Sequence, residues 1–141
     1  MTRINVLSVT LLTDQHLLAE YREITRISSL SRHLDDYGVY KMGEGHVKFF
    51  YNKGTWLVRR TNELYQECVA RGFNVTPKAY TEHGFGLNND FAPTMRDIEV
   101  NLERLYDKLQ TGSYRYYGKA ISYEEYRSMV EGAYERRRVV G

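Results

Sequence analysis

Gln15-His16-Leu17-Leu18-Ala19-Glu20-Tyr21-Arg22-Glu23-Ile24-Thr25-Arg26 has the spacing of a helix with two unlike sides. At about 100° per residue, Leu17, Tyr21 and Ile24 share one side, and Gln15, Ala19, Arg22 and Arg26 fall in a stripe roughly opposite. His16 and Glu23 lie at the edge of that stripe. Two arginines four apart repel by a few tenths of a kcal/mol on a helix that faces only water, so their placement suggests that a polyanion is expected there. Ala19 leaves room for a close approach. The charged form of Glu23 is favoured beside two guanidiniums, which suits a group that stabilises a cation or takes a proton. A solvated helix face carrying one Glu among basic residues would read the same way.

Upstream, Val6 to Leu12 is an apolar run leading into Thr13-Asp14, either of which can cap the helix start. The first helix is predicted to continue to about Leu34 and to be broken by Asp35-Asp36-Tyr37-Gly38. Gly43-Glu44-Gly45-His46 reads as loop, and Val47 to Tyr51 as a strand or, preferably, an extended segment packed on helices. A second helix is expected from about Gly54 to Arg71, with Leu57, Thr61, Leu64 and Cys68 facing inward, Gly72 just past its end and Phe73 supplying the apolar contact that follows. Asn74 to Asp90 is the longest loop. Pro93-Thr94 opens a third helix to about Leu109, its inner stripe Met95, Ile98, Leu102, Leu105 and Leu109, its other side carrying Arg104 and Lys108, again like charges four apart.

After Thr111-Gly112, bases and aromatics interleave from Ser113 to Ile121 around Gly118, a pattern suited to phosphate contact and stacking and equally to tyrosine packing. Ser122 and Glu125 form a capping-box pair for a last helix with Tyr126, Met129, Val130, Ala133 and Tyr134 on one side. That helix ends in Arg136-Arg137-Arg138, which complements a helix C-terminus and could touch phosphate, though a solvated tail is the plainer reading. The expected fold is all-α: a single compact domain of three main helices with long loops, plus an additional C-terminal helix. Residues 1–121 form its main body and 122–141 an extension packed on or trailing from it.

A chain of 141 residues is long enough for one core without staples. Its 20 Lys and Arg against 18 Asp and Glu leave a net charge of only +2, so binding to nucleic acid must come from where the charges sit. The 13 tyrosines suit wet interfaces and base stacking as well as cores. A lone Cys68 excludes an internal disulfide and fits a reducing compartment. No apolar run reaches the length of a membrane span, and the N-terminus lacks a secretory signal's apolar centre, so a soluble cytoplasmic protein is expected.

His16, His33, His46 and His83 lack metal-site spacing, and there is neither a phosphate loop nor a GxGxxG fingerprint, so no metal and no cofactor are expected. Neither Cys68 nor any serine has a base nearby in sequence. Thr2 is small enough to permit removal of Met1, which would expose an α-amine next to Arg3. With a pKa of about 7.7–8.0 such an amine is partly unprotonated at neutral pH and can attack a sugar aldehyde.

The segments MTRIN, DQHLLAEYRE, GHVKFFY, ECVARGFN, the Pro93 to Lys108 helix and YYGKAI together resemble, in order, the pyrimidine-dimer DNA glycosylase/AP lyase family of phage ultraviolet-repair enzymes and their viral and bacterial relatives. The resemblance implies one mostly helical domain that works, as a monomer, on double-stranded damaged DNA. It implies Thr2 as nucleophile and Glu23 as the catalytic carboxylate. Arg3, Arg22, Arg26, Arg104 and Lys108 match its DNA-contacting or active-site basic residues, Gln15 and His16 a pair near the site and the DNA, and Lys119 a tail motif near the DNA. In such enzymes amine attack displaces the base, an imine forms on the opened sugar and β-elimination expels the 3′ phosphate; the DNA is kinked and the adenine opposite the lesion flipped out.

The chain departs from the family between Arg26 and Gly45, which is shorter, and across Asn74 to Ala92, which barely matches. Thr25 stands where proline is usual, Ser113 where tryptophan is expected, and the helix after Ile121 is extra. Cyclobutane pyrimidine dimers are the expected lesion. A glycosylase/lyase for another damaged or modified base, and a DNA-binding relative without turnover, are the alternatives. The joint presence of Thr2, Glu23, Arg22 and Arg26 favours the enzyme, since a binder needs neither amine nor carboxylate.

Overall fold

The Thr13 hydroxyl accepts the His16 N–H, which starts α1 (Asp14–Glu23) at the expected cap. The computed structural model describes residues 4–26, 39–43, 46, 48–50, 53–78 and 89–140, with the backbone alone at 26, 48 and 136–140. α1 passes at Ile24 into a single 3-10 turn ending at Arg26, so its α-helical part stops well short of the expected end. Any continuation toward Leu34, like the Asp35–Gly38 break, lies outside the described residues. Lys78 closes that end, its ammonium donating to the Tyr21 and Arg22 carbonyls at 3.2 and 3.1 Å, where a cation also offsets the negative helix terminus.

α2 (Gly54–Ala70) buries Leu57, Thr61, Leu64 and Cys68 as expected. It ends in a full Schellman closure: the Gly72 N–H reaches the Val69 carbonyl and the Phe73 N–H the Cys68 carbonyl, both at 2.9 Å. Gly72 sits at φ +86°, the left-handed region that glycine enters without a Cβ penalty. Residues 48–50 form a 3-10 turn rather than a strand or extended segment. Its Phe49 and Phe50 are buried, Phe50 stacking on Trp56 at 5.0 Å and Phe49 meeting Phe91 edge-on at 4.9 Å. Side-chain packing, not a ladder, is what this aromatic stretch provides.

α3 (Met95–Thr111) begins with a capping box between Thr94 and Asp97. Ile98, Leu102, Leu105 and Leu109 are buried, whereas Met95 is 39% exposed; it occupies the first turn, ahead of the point where α3 meets the core. The flanks of α3 differ in sign. Arg104 and Lys108 lie on one, Glu99 and Glu103 on the other, where they line a groove with Tyr106 and the last helix. α4 (Tyr123–Val140) starts with the Ser122–Glu125 box, bonded both ways at 3.0 and 3.1 Å. Tyr126, Val130 and Tyr134 join the same core as α1, α2 and α3, and the Tyr126 hydroxyl donates to the Leu11 carbonyl at 2.6 Å. The side chains of Arg136, Arg137 and Arg138 lie outside the described residues.

The mostly helical expectation holds, with one addition. Residues 113–121, where bases and aromatics interleave around Gly118, contain an antiparallel hairpin, β1 (Tyr114–Tyr116) and β2 (Lys119–Ile121). Its two-residue turn has positive φ at both Tyr117 (51°) and Gly118 (80°), the backbone hand that matches strand twist.

Candidate nucleic-acid and catalytic site

The piece of chain from Ile4 to Leu7 lies among α1, α2 and α3, with no strand beside it among the described residues. Unpaired buried amides are costly, and here side chains take them one by one. The Ile4 N–H donates to His46 Nε2 (2.8 Å) and the Asn5 N–H to Glu20 Oε1 (3.2 Å). Asn101 Oδ1 accepts from the Val6 and Leu7 N–H groups (2.7 and 3.4 Å). The Tyr40 hydroxyl donates to the Ile4 carbonyl at 2.8 Å and Arg60 Nη1 to the Leu7 carbonyl at 2.7 Å. Four elements of the fold therefore fix four consecutive residues.

The centre of this arrangement is a buried ion pair. Arg60 donates through Nε to Glu20 Oε2 (2.7 Å) and through Nη2 to Oε1 (3.1 Å); the two side chains are 4% and 0% exposed. Asn5 Nδ2 adds a third polar bond to Oε1, and Asn101 Nδ2 donates to Asn5 Oδ1 at 2.7 Å. A pair so enclosed gains from Coulomb attraction only because its lone pairs and protons are otherwise satisfied. None of these residues was expected at the site. Their sequence signal is a polar residue on an apolar helix face: Glu20 lies within about 60° of Leu17, and Arg60 and Asn101 lie beside Leu64 and Leu105 on their wheels.

The expected site residues distribute as follows. Thr2, Arg3 and the side chain of Arg26 lie outside the described residues. Glu23 is half-buried and Arg22 exposed. Glu23 and His16 sit two turns apart on one face of α1. His16 stacks on Tyr114 at 4.8 Å and 12°, with Thr13 Oγ1 2.6 Å from its Nδ1. Burial, then the charges of Arg104 and Lys108, bring the His16 pKa down to about 4, so at neutral pH the ring is uncharged. Arg104 and Lys108 on α3 are thus near His16 on α1, and the charge of Arg104 is also felt at Tyr40.

Gln15 is committed elsewhere. Its amide donates to the Ser113 carbonyl (3.1 Å) and accepts the Arg115 N–H (2.9 Å), which ties the hairpin to α1. Asp14 takes the two turn amides, Tyr117 N–H at 3.1 Å and Gly118 N–H at 2.8 Å, and pairs with Arg71 at 3.0 Å. Arg71 packs against the Tyr116 and Tyr117 rings at 4.9 and 4.5 Å. These tyrosines and Tyr114 are therefore engaged in packing; Arg115 and Lys119 remain exposed.

Among the described residues no group of three or more His, Cys, Asp or Glu is placed to hold a metal, and no helix is long and apolar enough to cross a membrane. Cys68 is buried and its thiol is pushed up to about 11, chiefly by that burial, which disqualifies it as a nucleophile.

An N-terminal segment held by side chains lies in the same core as α1, whose His16 has Arg104 and Lys108 of α3 near it. A family model described as pyrimidine dimer DNA glycosylase matches residues 1–81, a span that includes Ile4 to Leu7, α1 and α2. DNA repair by glycosylase chemistry is the activity of that family, and the chain belongs to it.

Proposed function

We propose that the protein excises cyclobutane pyrimidine dimers from double-stranded DNA and cleaves the resulting abasic site, with the α-amine of Thr2 as nucleophile after removal of Met1. The observation that carries this reading is the fixation of Ile4 to Leu7. Two residues of chain reach at most about 7 Å, so an amine on Thr2 stays within that distance of an Ile4 held at both its N–H and its carbonyl. An ordinary chain terminus has no use for such restraint; a nucleophile that must meet a sugar carbon does.

The amine nitrogen attacks C1′ of the lesion's 5′ nucleotide, and the C1′–N bond to the base breaks, its electron pair leaving with the base. Loss of a proton from nitrogen and opening of the sugar give an imine. Removal of a C2′ proton then drives β-elimination, expelling the 3′ phosphate. Glu23 stabilises the cationic sugar and assists proton transfer. Arg3, Arg22, Arg26, Arg104 and Lys108 hold phosphates, which positions the duplex without reading its sequence. Gln15 and His16 shape the floor between them and the hairpin, His16 as a neutral ring, and Lys119 extends the basic surface. Residues 1–121 carry the activity as a monomer in the cytoplasm, and 122–141 form an added helix.

Borohydride trapping on dimer-containing, abasic and undamaged duplexes tests the reading. Wild-type protein should form a covalent adduct on the first two, reductive methylation of the N-terminus should abolish it, and Glu23→Gln should bind DNA normally while losing roughly 100-fold or more in single-turnover excision. Full activity of an N-terminally blocked protein would overturn the amine. Strong abasic cleavage without dimer excision would overturn the lesion.

A further inference from the structure

His46 is an unusual residue to find fully buried in a short turn. Its ring is 1% exposed and packs edge-on against Tyr40 at 5.4 Å and Phe50 at 6.0 Å. Its two nitrogens have different duties. Nε2 accepts the Ile4 N–H at 2.8 Å, and Nδ1 lies 2.9 Å from the Lys41 carbonyl. A nitrogen that accepts an N–H bears no proton, and one facing a carbonyl must bear one, so the hydrogen bonds select the neutral Nδ1–H tautomer. Tyr40 completes the grip from the other side of the same residue, its hydroxyl on the Ile4 carbonyl. Tyr40 is itself held, Arg96 Nη1 donating to its carbonyl at 2.9 Å.

We propose that His46, backed by Tyr40, is a positioning residue for the N-terminal nucleophile: it fixes the direction in which the chain leaves the core at Ile4 and so aims the amine. This rests on the Thr2 reading above. Among the described residues Ile4 is the first whose backbone the core grips; Asn5, Val6 and Leu7 are held further in by Glu20 and Asn101. Without the Nε2 contact the first described amide held by a side chain is that of Asn5, one residue further from Thr2. Misplacement of a nucleophile by an ångström or so is enough to cost on the order of 100-fold in rate. His46 touches neither substrate nor reacting atoms and acts only through the backbone.

Two variants separate this role from simple packing. Gln at 46 puts an oxygen near the place of Nε2, so His46→Gln keeps the acceptor for Ile4 and gives up the donor to Lys41. His46→Asn does the reverse, its amide able to serve the Lys41 carbonyl but falling short of Ile4. Tyr40→Phe keeps the ring and removes only the hydroxyl. The readouts are the single-turnover rate of borohydride trapping at saturating abasic duplex, the Kd for a duplex with an uncleavable tetrahydrofuran site, and the melting temperature.

His46→Asn should trap roughly 10- to 100-fold more slowly with Kd unchanged, Tyr40→Phe should lose a smaller factor in the same direction, and His46→Gln should stay within about threefold of wild type. Equal losses in the Gln and Asn variants, or losses that follow melting temperature instead of the Ile4 acceptor, overturn the proposal. Mapping the wild-type adduct tells its failure from that of the mechanism. An adduct away from the N-terminal residue removes the nucleophile itself, whereas an N-terminal adduct formed at wild-type rate by His46→Asn removes only the role of His46.

Discussion

Two short extended pieces lie over α1, and they are held in opposite ways. The hairpin Tyr114–Ile121 satisfies its backbone largely by itself, strand to strand, and is pinned to the body by Asp14, Gln15 and the Tyr114 stack on His16. Ile4 to Leu7 has no strand partner among the described residues; its amides depend on His46, Glu20 and Asn101. A hairpin can be added, trimmed or shifted with its turn chemistry intact. A segment whose every amide belongs to another element's side chain cannot move without the whole core noticing, and that fixity is what the N-terminal nucleophile proposed above requires.

The largest effect should come from breaking the ion pair beneath the N-terminal segment. Arg60→Met leaves the Glu20 carboxylate buried and uncompensated, an expected loss of about 3–5 kcal/mol in urea unfolding. Adding Glu20→Leu should recover only part of it, because the Asn5 N–H and the Leu7 carbonyl would still lack their partners. Full recovery in the double variant would mean that the pair supports itself and not the segment.

The second effect is on the hairpin's side and depends on pH. With a folded pKa of about 4 against 6.5 unfolded, His16 is neutral in both states above pH 6.5 and contributes nothing there. As pH falls from 6.5 toward 4, the unfolded chain binds a proton that the folded chain refuses. Stability is therefore lost across that interval, to a limit of about 3 kcal/mol, and the loss is complete below it. His16→Phe keeps an aromatic ring for Tyr114 and removes the titration. The difference in melting temperature between the two proteins should shift in favour of the variant as pH drops from 6.5 to 4; a constant difference would show that the ring is not kept neutral by folding.

The smallest effect sharpens the contrast most. Gly118→Ala places a Cβ at φ +80° and should lower stability by about 1 kcal/mol through backbone strain alone. Trapping on abasic DNA should stay at the wild-type rate. A fall in that rate would join the hairpin to the chemistry and erase the distinction.

The same contrast explains what could be read from the chain beforehand. Caps, stripes and stops are local: Thr13, the Ser122–Glu125 box, Gly72 with Phe73, and the Leu102–Leu105–Leu109 stripe all behave as their spacing says. The hairpin was missed because Tyr-Gly is not a common turn pair, and Tyr117 tolerates its positive φ with its hydroxyl on Glu67 and its ring on Arg71. The set of contacts that holds Ile4 to Leu7 is illegible for another reason. Glu20 meets Arg60 forty positions away, and Val6 meets Asn101 ninety-five away; nothing local marks one polar residue on an apolar face as the partner of another. The family resemblance supplied the terminal amine and Glu23, and the fold supplies what restrains the chain behind them.

The opposed flanks of α3 have a consequence at a distance. A net charge of +2 describes the protein as nearly neutral, yet α3 carries Arg104 and Lys108 on one flank and Glu99 and Glu103 on the other, which polarises that helix across its width. On the function proposed above, the field of a DNA rod pushes the acidic groove shared with α4 outward and draws in the flank carrying Arg104 and Lys108, over a range set by the roughly 8–10 Å screening length of physiological salt.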